Sequence, residues 1–200
     1  MLKRTLATLA IITAAASVAG LGTFATFTSS TSASHTVSAG SVSVALGAVG
    51  PANRLTVGAT GILPGDTLQR AVDLTNNGVA GSDNLSSITL TTSAFPSTLL
   101  DTDATNGLQM VIDKCAVAWT ESASPPYTYT CGGATTSVLA SRAVIGSNIA
   151  LSGLGSTTTG STDRLRVTLT LPGAAPNTMQ GLSSTLTYTF VGSQRAAASK

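Results

Sequence analysis

Two cysteines, one histidine and eight carboxylates are the residues with which this chain could do covalent, metal or acid–base chemistry. Zinc hydrolysis needs two or three imidazole, thiolate or carboxylate ligands and a general base on fixed spacing, and the sole imidazole is His35. No His-Glu-x-x-His helix exists to hold a metal. Serine catalysis lacks its base for the same reason, and no Gly-x-Ser-x-Gly elbow occurs. The acids Asp66, Asp73, Asp83, Asp101, Asp103, Asp113, Glu121 and Asp163 stand mostly in turn-like sequence, where a carboxylate caps backbone N–H groups or aids solubility. Asp101-Thr102-Asp103-Ala104-Thr105-Asn106-Gly107 lines up oxygen ligands before a glycine. Its spacing is one residue too long for an EF-hand and no downstream Glu closes it, so it reads as an ordinary Asx turn. No residue is therefore assigned a catalytic, cofactor-binding or metal-binding role.

Cys115 and Cys131 are the only cysteines, and one even pair in an exported chain reads as a disulfide. Closing that loop stabilises by about 3 kcal/mol in the chain-entropy account. The loop brackets Trp119, Pro125, Pro126, Tyr127 and Tyr129. A stapled hairpin or excursion is one reading of it; a contact patch built from Trp119, Tyr127 and Tyr129, suited to carbohydrate, is the other.

The elements that would carry these residues are strands. Val42, Val44 and Leu46 alternate with Ser41, Ser43 and Ala45, and the same period-two pattern returns in Leu68, Val72 and Leu74, in Ile88 and Leu90, in Leu165, Val167, Leu169 and Leu171, and in Leu186, Tyr188 and Phe190. Turn signals separate them: Leu63-Pro64-Gly65-Asp66, Asn76-Asn77-Gly78, Thr105-Asn106-Gly107, Gly132-Gly133 and Pro172-Gly173. No convincing helix appears after the leader. The pattern predicts an all-β chain, an antiparallel β-sandwich or jelly roll, with 48–200 as its body.

Lys3 and Arg4 followed by the apolar Leu6–Val18 read as an export signal over 1–26, with retention as a membrane anchor the competing reading. Beyond residue 26 eight Lys or Arg face eight Asp or Glu, so the exported chain is close to neutral. Nothing from Thr5 to Asn53 is formally charged. A nucleic-acid partner, which needs a basic stripe, is excluded. Near-neutrality removes the repulsion that keeps copies apart and favours association.

Gly22-Thr23-Phe24-Ala25-Thr26-Phe27 followed by Thr36-Val37-Ser38-Ala39-Gly40-Ser41-Val42-Ser43-Val44 resembles the start of TasA/camelysin family proteins. Leu63-Pro64-Gly65-Asp66-Thr67 running into Val72-Asp73-Leu74-Thr75-Asn76-Asn77-Gly78 resembles that family's Pro-Gly-Asp turn and following strand, and Arg164–Phe190 also fits. The resemblance implies a jelly-roll domain, a dedicated signal peptidase cutting near Thr26-Phe27, secretion to the extracellular space or cell surface, and assembly into matrix fibres. Its expected partners are further copies of the chain, together with accessory matrix or initiator proteins. On this reading 27–47 is an N-terminal assembly arm. Its uncharged Phe27–His35 leads into a strand that adds to a neighbour's open edge, with Phe27, Val37, Val42, Val44 and Leu46 as its apolar contacts. The plainer alternative is that the same strand pairs inside its own domain. Two other functions stand beside the fibre subunit: a monomeric secreted binding or adhesion module using the Cys115–Cys131 excursion, and the metallopeptidase activity ascribed to some camelysin relatives.

Overall fold

The structure, a computed structural model, describes residues 43–55, 62–79 and 83–195. The expected signal segment 1–26 and the expected arm residues Phe27, Val37 and Val42 lie outside them. Strict alternation makes β9 (Thr162–Thr170), in which Asp163, Leu165, Val167 and Leu169 all point inward. The same logic forms β2 (Thr67–Asn76), β3 (Leu85–Ala94) and β10 (Leu186–Gln194). The remaining strands are β1 (Val44–Leu46), β4 (Gln109–Cys115), β5 (Trp119–Glu121), β6 (Tyr129–Cys131), β7 (Thr135–Ala143) and β8 (Gly146–Ala150).

One sheet runs β1-β2-β9-β4-β7 and a second runs β10-β3-β8, every neighbour antiparallel, while β5 and β6 form a separate two-stranded ribbon. Val72, Leu74, Met110, Ile112, Leu165 and Val167 of the first sheet and Ile88 and Leu90 of the second join one buried core, each such side chain contributing about 2 kcal/mol of hydrophobic stabilisation. The predicted all-β antiparallel class is the observed one. Among the described residues the strands divide five, three and two.

The described residues include one short α-helix, α1 (Leu99–Thr102), and one 3-10 turn at Asn177–Met179. Thr98 and Asp101 form a capping box, each side chain accepting from the other's backbone end of the turn. The Pro64-Gly65 turn before β2 uses the freedom of Gly65, whose φ is +96°.

Strand directions define two ends. At the α1 end lie the starts of β2, β4, β8 and β10 and the ends of β3, β7 and β9, since Thr67 faces Thr170, Gln109 faces Ala143 and Ala94 faces Leu186. At the opposite end Val44 faces Asn76, and the Asn77 N–H donates to the Ser43 carbonyl at 2.9 Å.

Candidate functional site

The segment between the two cysteines folds back on the outer face of the five-stranded sheet, stapled by the Cys115–Cys131 disulfide across a separation of 16 residues. Polar contacts then fix it in register. Arg54 grips Glu121 through two bonds, Nε to Oε2 at 2.8 Å and Nη2 to Oε1 at 2.6 Å. The Tyr129 hydroxyl donates to the same carboxylate at 2.8 Å, and its N–H donates to Gln69 Oε1 at 3.0 Å. Arg166 reaches the Tyr129 carbonyl and Asp113.

Trp119, Tyr127 and Tyr129 of the expected contact patch all lie on this excursion, and their rings are largely engaged by the protein's own side chains. Tyr129 is buried, at 5% exposure. Trp119 donates its indole N–H to the Arg164 carbonyl at 2.9 Å and is stacked under the Arg166 guanidinium, 4.5 Å from the ring centre. Tyr127 carries Arg54 over its ring at 4.6 Å. One face of each of those two rings is therefore occupied by the protein's own cation. Arg54 and Arg166 are the partners that sequence reasoning missed. They are 67 and 37 positions from the residues they hold, Glu121 and Tyr129, with no local signal linking them.

These contacts set the protonation of the cluster. The Arg54 bonds, aided by Tyr129 and opposed by burial, hold the Glu121 carboxyl below its ordinary range. Burial, then the Glu121 carboxylate, pushes the Tyr129 phenol up to about 12.

Asp101, Asp103 and Asp163 are committed largely to backbone N–H groups. Asp103 accepts from the Thr105 and Asn106 N–H groups, both at 2.9 Å, in an Asx turn, so it lies below the usual carboxylate range. Burial alone would raise Asp101, yet bonds from Ser97, Thr98 and Ser184 outweigh it and hold it low. Asp163 behaves likewise, through the Ser156 and Gly155 N–H groups and Lys114. Among the described residues no three His, Cys, Asp or Glu side chains converge to hold a metal ion. Both cysteines are in the disulfide, and His35 lies outside the described residues. The described donor set does not fit a catalytic zinc, which needs three protein ligands and an open position.

The strand edges are a different matter. The outer strands are β1 and β7 of one sheet and β10 and β8 of the other. Their only charged residue is Arg142, and none contains proline. β10 is the longest of the wholly uncharged edges: nine residues, paired among the described residues with β3 alone. β1 lies beside it. A Cβ placed on Gly192 of β10 would meet Val44 Cγ2 at 2.8 Å. Val44 packs against the core and Leu46 is 39% exposed, both in a strand that pairs with β2 of its own domain.

The described residues define an antiparallel all-β sandwich whose prominent surface features are unguarded strand edges and one clamped excursion. The chain matches the camelysin metallo-endopeptidase family over residues 1–199 and belongs to that family, the one its N-terminal junction resembles. Members of that family are generally extracellular or surface-associated. No curated protein matches it.

Proposed function

We propose that the chain is a secreted, non-enzymatic structural subunit that polymerises into extracellular fibres by strand addition. The observation that carries this reading is the β10 edge: nine consecutive residues with neither charge nor proline, the devices that normally blunt an edge. Because β1 is already paired with its own β2, the donor segment on this reading is 27–42 of one copy, and the acceptor is β10 of the next. Main-chain hydrogen bonds supply the affinity and apolar side chains the register. Such a contact joins unlike surfaces and propagates instead of closing. The donor set described above argues for a structural role in place of peptidase chemistry.

The test compares the chain starting at Phe27 with one starting at Ser43, which keeps β1, by size-exclusion chromatography and negative-stain microscopy. Filaments from the first and monomers from the second are expected. Monomers from both would overturn self-assembly.

A further inference from the structure

Two asparagines are followed by glycine, in Asn77-Gly78 and Asn106-Gly107, and such a pair reacts within itself when the fold permits. The glycine nitrogen attacks the asparagine side-chain amide carbon, unhindered because glycine carries no Cβ. The Cγ–Nδ2 bond breaks, ammonia leaves with the proton that the backbone nitrogen gives up, and a five-membered succinimide closes. Solvent water then opens that ring at either carbonyl. One opening gives aspartate and the other isoaspartate, in which the backbone runs through the side-chain carbon. The reaction needs a free side-chain amide, a backbone N–H that can surrender its proton, and room for the peptide to turn.

Asn106 meets none of these needs. Its Nδ2 donates to Asp103 Oδ2 at 3.3 Å and its own N–H to Asp103 Oδ1 at 2.9 Å. The Gly107 N–H, which would be the nucleophile, donates to the Asp103 carbonyl at 2.9 Å. Gly107 is buried, and a Cβ placed on it would collide with the Asp103 and Leu100 carbonyl oxygens.

Asn77 differs in its side chain. It is exposed directly after β2, and its carboxamide makes no hydrogen bond among the described residues. Its N–H alone is tied, to the Ser43 carbonyl at 2.9 Å. The Gly78 N–H is held by one side-chain acceptor, Asn76 Oδ1, at 3.0 Å. Asn76 is in turn fixed by donating from Nδ2 to the Asp83 carbonyl at 3.1 Å, and Gly78 packs so closely on Asp83 that an added Cβ would stand 2.5 Å from the Asp83 Cβ. The reactive pair is therefore open on its side-chain half and braked on its backbone half.

We infer that Asn77 is a site of spontaneous covalent modification in the folded chain, converted to aspartate and isoaspartate at a rate set by the Asn76 side chain, while Asp103 protects Asn106. The product forms beside the Val44–Asn76 pair and the Ser43 contact that seat β1. Either product places a negative charge there, in a chain whose charges balance after residue 26, and isoaspartate also lengthens the backbone by one atom.

The test ages the folded chain and the urea-unfolded chain side by side at mildly alkaline pH and reads both sites by peptide mass mapping, with an isoaspartyl methyltransferase assay for the second product. In the unfolded chain the two sites convert at similar rates. In the folded chain Asn77 converts and Asn106 is slower by about tenfold or more. Equal folded rates, faster conversion at Asn106, or no conversion at Asn77 while the unfolded chain converts fully would each overturn the inference. Asn76→Ala removes the acceptor and is expected to speed Asn77 by roughly fivefold, one net hydrogen bond, with Asn106 still protected. An unchanged rate at Asn77 overturns the role of Asn76. Should Asn106 accelerate as well, the substitution has opened the fold, and the ratio of the two sites in the unaltered chain decides alone.

Discussion

At the scale of residues, the best-defined chemistry is the Arg54, Glu121 and Tyr129 cluster, and it is structural. Its hydrogen bonds predict the acid and alkaline limits of stability. Glu121, Asp101 and Asp163 are held below their ordinary values, so their contributions are complete above about pH 4.5 and are lost as pH falls toward the depressed values. Asp73 offsets part of this, since burial raises it against the pull of Arg164. Tyr129 works at the other limit. Raised from 10.0 to about 12, its phenol stays protonated in the folded chain after the unfolded chain has begun to ionise, so stability falls as pH rises through that interval. Tyr129→Phe is expected to cost about 1–2 kcal/mol at pH 7 and to flatten the decline between pH 10 and 12. Thermal midpoints measured across pH check both; an unchanged alkaline slope would show that the phenol is not the titrating group. Of this cluster the sequence singled out only Tyr129, as a ring of the contact patch, and not its link to Glu121 and Arg54. Glu121 reads as a lone acid in a polar loop, and its partner lies 67 positions upstream.

At the scale of elements, legibility followed the hydrophobic pattern. β9 and β10 alternate nearly throughout, and β2 and β3 do so over residues 72–76 and 88–92, because one face meets the core and the other meets solvent or the excursion. β4 hides in Met110-Val111-Ile112, where Val111 breaks the period although Met110 and Ile112 alone are fully buried. β7 buries only Val138 fully among small polar residues, as an edge strand can. α1 is too short for periodicity; its readable signal was Thr98 three residues before Asp101. The pairing of Cys115 with Cys131 followed from counting. Because the disulfide fixes the excursion to β4, replacing both cysteines by serine is expected to cost about 3 kcal/mol and to open Glu121–Thr130 to protease. Chemical denaturation and limited proteolysis check this. Unaltered cleavage would mean that Arg54 and Arg166 hold the excursion unaided.

At the scale of the molecule, near-neutrality bears on the proposed assembly. With eight basic and eight acidic residues after position 26, neither long-range attraction nor repulsion dominates an encounter. Polymerisation rates followed by light scattering should change by no more than about twofold between low and high sodium chloride. A steep dependence would mean that ion pairs, not strand edges, drive joining. The uncharged β10 edge has a kinetic corollary. On the strand-addition proposal a stack of such subunits has two unlike tips, one presenting the β10 acceptor edge, the other the 27–42 donor segment. The tips should elongate at different speeds, and a short peptide copying the arm should block one of them while leaving the other growing. Fibre length would then be set by a capping agent in far smaller amount than the subunit itself.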